Sequence, residues 1–205
     1  MKEDPVSFLS GNLRLEGLYL GRAGTQAALI AHPHPMMGGS MHDAVVDAVG
    51  SAFAAEGYSA LKFNFRGVGG SEGIYDEGRG EESDVRSARD FLQRNGKGDI
   101  TLAGYSFGAW VATNLLAKDG GFAGSILLSP PLDFMNFLDS CPKIDLMIYG
   151  RDDPYCSEKS IVPYAEKCGS QLECIRHADH FYSGKEKQLT DIIRKHLIRE
   201  NPVRS

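Results

Sequence analysis

The sequence has no apolar run approaching the roughly 20 residues that a membrane-spanning helix needs. Nor does it open like a signal peptide: Glu3 and Asp4 follow its single early lysine, and no apolar stretch comes after them. Basic runs are missing too. Lys and Arg together number 22 against 27 Asp and Glu, a net charge of −5, and the basic residues are scattered singly or in pairs. A nucleic-acid binder would show a basic patch or stripe, so nucleic acid and membrane are not expected partners. Cysteine is scarce. Cys141, Cys156, Cys168 and Cys174 form no C-x-x-C pair, which removes the spacing of a zinc ribbon or a thioredoxin motif. They read as free, mostly structural thiols, in keeping with a reducing compartment, and the chain reads as a soluble cytoplasmic protein. Repeats, low-complexity tracts and linkers are also absent. A chain of 205 residues is expected to fold as one domain, 1–205, and to bury roughly 70% of its unfolded surface without needing disulfides or metal.

Glycine is what the chain has in excess, 24 residues of 205 with no periodic arrangement. At that density glycine marks many tight turns between strands and helices. The apolar pattern places eight strands, at Val6–Leu9, Leu13–Leu20, Gln26–Ala31, Ser59–Phe65, Ile100–Gly104, Gly124–Leu128, Asp145–Tyr149 and Leu172–Arg176. Leu13–Leu20 alternates and reads as an edge-type antiparallel strand, whereas Gln26–Ala31 is apolar throughout and reads as buried on both faces of a parallel sheet. Helical spacing occupies His42–Glu56, Arg79–Gln93, Phe107–Ala117, Ser157–Cys168 and Lys185–Arg199. Strands alternating with helices predict an α/β domain, a doubly wound and mostly parallel sheet of about eight strands flanked by helices.

One turn in this pattern carries chemistry. Strand Ile100–Gly104 runs through Gly104-Tyr105-Ser106-Phe107-Gly108 directly into a helix, which is G-x-S-x-G in the strand–turn–helix setting the motif requires. A serine at the tip of so sharp a turn needs small residues two before and two after. The following helix directs its free N–H groups at the place where an oxyanion would form, making the Phe107 N–H a natural donor. A second donor is expected from the loop His32-Pro33-His34-Pro35-Met36-Met37-Gly38-Gly39. Its prolines remove two backbone donors, leaving His34 as first choice and Met36 as second. The same loop raises a metal site from His32, His34 and His42, but its prolines disrupt the i, i+4 helical geometry such sites use. The run Gly67-Val68-Gly69-Gly70-Ser71 resembles a phosphate loop only in part: the sixth position is Glu72, which would repel a pyrophosphate.

A serine becomes a useful nucleophile when an imidazole, oriented by a carboxylate, takes its proton. In the order Ser, Asp, His, the base must come from His177, His180 or His196. His196 falls on the inner or flanking face of the last helix and reads as packing. His180 lies deeper than His177 in the loop after strand Leu172–Arg176, so His180 is the expected base with His177 in reserve. The acid is expected from Gly150-Arg151-Asp152-Asp153-Pro154. Neighbours point in different directions, so only one of Asp152 and Asp153 can meet the base, and Asp153, before the proline, is preferred. Asp133, one strand earlier, is the remaining candidate.

Five segments in this order, AHPHPMMGGSM, NFRGVGGS, GYSFG, GRDDP and ADHFYSGK, resemble the α/β-hydrolase superfamily, and within it small bacterial hydrolases related to dienelactone hydrolases and serine-peptidase-like esterases. The resemblance runs almost end to end. It implies an α/β-hydrolase fold with Ser106, Asp153 and His180 at the triad positions, a bracing role for Arg66, and no cofactor. Dienelactone hydrolases proper use a cysteine nucleophile where this chain has Ser106, so lactone opening is not implied. In that fold a lid enters between the strands Gly124–Leu128 and Asp145–Tyr149. Here the connection is Ser129–Lys143, too short for a helical cap domain. The expectation is a lidless serine hydrolase acting on a small-molecule ester of short acyl chain. A thioesterase, a small amidase or peptidase, and a non-catalytic binding protein on the same fold are the alternatives.

Overall fold

A computed structural model describes residues 2–200. Eight strands form one sheet: β1 (Asp4–Ser10), β2 (Leu13–Leu20), β3 (Gln26–Ala31), β4 (Ser59–Phe63), β5 (Asp99–Tyr105), β6 (Gly124–Leu128), β7 (Leu146–Gly150) and β8 (Gln171–Ile175). Five helices accompany them: α1 (Ala44–Ala55), α2 (Arg79–Arg94), α3 (Phe107–Lys118), α4 (Glu158–Cys168) and α5 (Glu186–Glu200). The sheet order is β1-β2-β4-β3-β5-β6-β7-β8; the β1–β2 and β2–β4 pairings are antiparallel and the other five are parallel. The expected α/β-hydrolase fold is therefore the observed one.

The apolar strands explain where the core lies. In β3 the side chains of Leu29 and Ile30 point to opposite faces, and both are buried. Leu29 joins the layer under α2, α3 and α4, with Val85, Leu92, Val111 and Ile161. Ile30 joins the layer under α1 and α5, with Val49, Phe53, Leu189 and Ile193. A strand covered by helices on both faces has no polar position to offer, which is why Gln26–Ala31 carries no alternation.

Three expectations are corrected. β2 is not the sheet edge: it pairs with β1 on one side and β4 on the other, and β1 is the outermost strand. β4 stops at Phe63 rather than Phe65, because the Asn64 N–H turns to the Glu16 carbonyl at 3.0 Å and the Phe65 N–H to the His32 ring. The thiols are not all free. Cys141 and Cys168 are disulfide-bonded with Cα atoms 5.3 Å apart, while Cys156 and Cys174 are free. Cys141 lies in the β6–β7 connection and Cys168 ends α4. They become neighbours only when the Ile144 N–H docks on the Cys168 carbonyl, a pairing that local spacing does not reveal. The thiol argument for a reducing compartment falls with it.

Two features position the site. The strands β3, β5, β7 and β8 all run into their loops at the same edge of the sheet, the usual ligand side of a parallel α/β sheet. The connection from β6 to β7 contains only turns, so no helix or strand covers that edge there. Among the described residues no helix is long and apolar enough to cross a membrane.

Candidate active site

β5 delivers Ser106. Its φ of +54° and ψ of −117° place it in a strained backbone region for a residue with a side chain. The surroundings enforce this: the Ser106 N–H donates to the Leu128 carbonyl at 2.9 Å, and its own carbonyl accepts from the Ala109 N–H at 2.9 Å. The flanking glycines are steric necessities. A Cβ on Gly104 would overlap the Gly108 carbonyl, and one on Gly108 would overlap the Ala31 carbonyl.

The loop after β8 brings His180 to this serine. Its Nε2 is 2.9 Å from Ser106 Oγ and its Nδ1 is 2.8 Å from Asp153 Oδ2. Asp153 Oδ1 accepts the Tyr155 N–H at 2.8 Å, so both carboxylate oxygens are engaged and the group is buried. An ionised Asp153 can only accept, which puts a hydrogen on His180 Nδ1 and leaves Nε2 to accept the serine hydroxyl proton. The structure thus brings together Ser106, His180 and Asp153.

The reserves lie elsewhere. Asp152 and His177 are exposed, 4.0 Å apart, and line a surface depression that does not include Ser106. Asp133 accepts the Ser157 N–H at 2.5 Å and the Ser160 hydroxyl, so it caps α4. His196 is buried on α5, as packing would have it.

The two expected oxyanion donors beyond Phe107 separate clearly. The Met36 N–H donates to His34 Nδ1 at 3.2 Å, so it does not face the site as a free donor. Among the described residues no acceptor meets the backbone N–H of His34 or of Phe107, and both residues line the cleft over Ser106. The His34 ring accepts at Nδ1, so its hydrogen sits on Nε2, 3.3 Å from the Tyr75 hydroxyl. Partial burial holds this imidazole below its ordinary pKa.

His32 has a different task. It is fully buried, donates from Nδ1 to the Pro33 carbonyl at 2.6 Å and accepts the Phe65 N–H on Nε2 at 3.0 Å. Both ring nitrogens are therefore taken by the backbone, and burial pushes the pKa down to about 4. A neutral His32 pins the loop carrying His34 to the end of β4. Arg66 braces the next loop by a bidentate pair with buried Asp84 at 2.8 and 3.1 Å. His42 lies on the surface.

Several supports were not visible in the motifs. The Tyr105 hydroxyl donates to the His180 carbonyl at 2.9 Å. The Tyr182 hydroxyl donates to the Ile148 carbonyl at 3.1 Å and is 2.8 Å from Ser129 Oγ. These phenols hold the base loop against the sheet, and both rings are buried. Asp43, which caps α1 through the Val45 N–H at 2.8 Å, also lines the cleft. The cleft has a volume of about 160 Å³, and its mouth carries exposed Met37, Phe134 and Phe181.

A model of the alpha/beta hydrolase family matches residues 28–184, from β3 through the His180 loop. The chain belongs to the alpha/beta hydrolase family. This hydrolase is 32% identical over 201 residues to an uncharacterized protein of Rickettsia prowazekii, covering 90% of the present chain and 84% of that one. Among solved structures it is similar to a protein of unknown function from Agrobacterium tumefaciens, with 32% identity, a TM-score of 0.87 and 98% of each chain covered. It is also similar to an α/β serine hydrolase without a lid from Xanthomonas campestris, with 26% identity and a TM-score of 0.86, covering 100% of this hydrolase and 98% of that chain.

Proposed function

We propose that this alpha/beta hydrolase is a serine carboxylesterase that cleaves short-acyl esters through an acyl-enzyme. One observation carries the reading: the continuous hydrogen-bonded path from Ser106 Oγ through His180 to Asp153, at 2.9 and 2.8 Å. Ser106 Oγ attacks the ester carbonyl carbon while His180 Nε2 takes its proton. The carbonyl oxygen becomes an oxyanion facing the N–H groups of Phe107 and His34. Collapse breaks the acyl–oxygen bond, and His180 returns the proton to the departing alcohol. Water then repeats the sequence on the acyl group, with His180 first as base and then as acid, and Ser106 is released. Asp153 stays ionised throughout, holding the tautomer and balancing the imidazolium.

Size and exposure support short acyl groups. A cleft of about 160 Å³ is smaller than the roughly 300–1,000 Å³ of sites that enclose drug-sized ligands. With only turns between β6 and β7, that connection supplies no helix to extend the cleft over a long chain. The test is covalent labelling with a fluorophosphonate followed by peptide mapping. Labelling is expected at Ser106 alone, and Ser106→Ala is expected to abolish it together with ester turnover. A label on Ser71 or Ser129, or one that survives the substitution, contradicts the proposal.

A further inference from the structure

The cleft that holds Ser106 and His180 carries a charge the proposed reaction does not use. Asp43 lines the cleft together with Ser106 and His180. It is half-buried, and the N-terminal cap on α1 ties down its carboxylate through Oδ1. No Lys or Arg is among the described residues lining the cleft. The second carboxylate nearby, Asp153, is buried behind His180 with both oxygens engaged by His180 and the Tyr155 N–H, and is not among the lining residues. The rings of Tyr155, Phe134 and Phe181 share the remaining walls with apolar Pro33, Met37 and Met135. Tyr155 meets the His180 ring edge-on at 4.9 Å, Phe134 meets Tyr155 at 5.8 Å, and Phe181 meets His180 at 5.6 Å. Aromatic rings and one carboxylate lining the same cleft favour a cation there, because ring quadrupole and fixed charge act with the same sign. An anion in the same cleft would be repelled by the carboxylate with no Lys or Arg among the lining residues to offset it.

We infer that Asp43 is the charge-selecting residue of the cleft, and that the enzyme prefers esters carrying a positive charge within a few bonds of the scissile carbonyl over neutral isosteres, and rejects anionic ones. The inference rests on the serine-hydrolase reading above and adds its substrate class. Burial raises the Asp43 carboxyl above its usual range, so the preference belongs to neutral and alkaline solution, where the group is ionised. An asparagine at this position caps a helix about as well as aspartate, so Asp43→Asn removes the charge and keeps the cap.

The experiment compares kcat/KM at about pH 8 for isosteric sets, in the native enzyme and in Asp43→Asn. On the alcohol side the set is butyrylcholine, 3,3-dimethylbutyl butyrate and an anionic alcohol ester of matched length. On the acyl side it is an aryl 4-(trimethylammonio)butyrate with its tert-butyl and carboxylate counterparts. In at least one set the native enzyme is expected to favour the cation over the neutral ester roughly tenfold, the size of one charge–charge interaction at a partly solvated site, and to disfavour the anion comparably. Asp43→Asn is expected to bring that ratio close to one whatever its absolute rate. A native ratio near one in both sets, or a preference that survives Asp43→Asn, overturns the inference while leaving the hydrolase reading intact. If the native enzyme cleaves none of the esters and Ser106 takes no fluorophosphonate, the underlying reading fails, and this inference with it.

Discussion

The strand ends and the cleft mouth of this hydrolase are built on opposite principles. At the strand ends the groups that matter are buried and partnered: Asp153 at both oxygens, His180 and His32 at both ring nitrogens, Ser106 held at its N–H and carbonyl. At the mouth, Met37, Phe134 and Phe181 expose 69%, 65% and 61% of their surface. The first region can hold atoms to tenths of an ångström because the sheet and two proline-bearing loops over-determine it. The second can change side chains at little cost to the fold. The proposed acyl transfer falls in the held region, as does the charge of Asp43, and the proposed limit on acyl length falls at the exposed mouth, a division expected when active-site loops are carried on a sheet.

That division makes definite demands. The largest concerns the acid. Asp153→Asn is expected to lower kcat by about 10³-fold or more, since the wrong imidazole tautomer then faces the serine. Asp152→Asn, one residue away but exposed, is expected to stay within about twofold of native activity. Steady-state kinetics on an aryl butyrate checks both, and similar losses would erase the contrast between held and free positions.

The next effect concerns stability against pH. His32 is fully buried and neutral in the fold, with a pKa near 4 against an ordinary value of 6.5. Between those values the unfolded chain binds the proton that the folded chain refuses, so stability is complete above about pH 6.5 and declines as the pH falls toward 4. The full loss from this residue is about 3 kcal/mol. Urea midpoints across that window, together with the His32 ring resonances by NMR, measure it. A His32 resonance that titrates near pH 6.5 in the native protein would show that the loop it pins is loosely held.

The smallest effect sharpens the account of the mouth. Each methylene that reaches a full apolar wall gains about 0.8 kcal/mol, and here that wall ends early. kcat/KM for aryl esters is expected to peak at roughly two to six acyl carbons and to fall severalfold beyond, without a rate jump at the solubility limit. A maximum at ten or more carbons would mean that the exposed residues of the mouth close over the substrate.

The same contrast decides what could be read from sequence. The turn through Ser106 was legible because sterics leave few alternatives there, a Cβ on Gly104 or Gly108 colliding with a carbonyl, and strand Gln26–Ala31 because burial on both faces leaves it uniformly apolar. The loops carrying Asp153 and His180 were reached through the order of the strands before them. The alternation of Leu13–Leu20 was legible as a strand but not as an inner one, since pairing on its far side depends on Asp4–Ser10. The Cys141–Cys168 bond was hidden because the two residues meet only through the Ile144–Cys168 contact. Between His34 and Met36 the motif could not choose, because the decision rests on a side chain, the His34 ring, accepting the Met36 N–H. Asp43 escaped for a similar reason: it is one carboxylate ahead of a helix until β3 and β5 place it beside Ser106.

The central claim is that Ser106 carries the acyl group between two half-reactions. Rapid mixing of the enzyme with an aryl butyrate in excess, quenched in acid and read by intact mass and peptide mapping, tests it most directly. The account predicts a burst of aryl alcohol that approaches one equivalent per chain when deacylation is the slower half, and a butyryl adduct on the peptide holding Ser106. In Ser106→Ala both vanish. An adduct on another residue, or turnover persisting in Ser106→Ala, would contradict it.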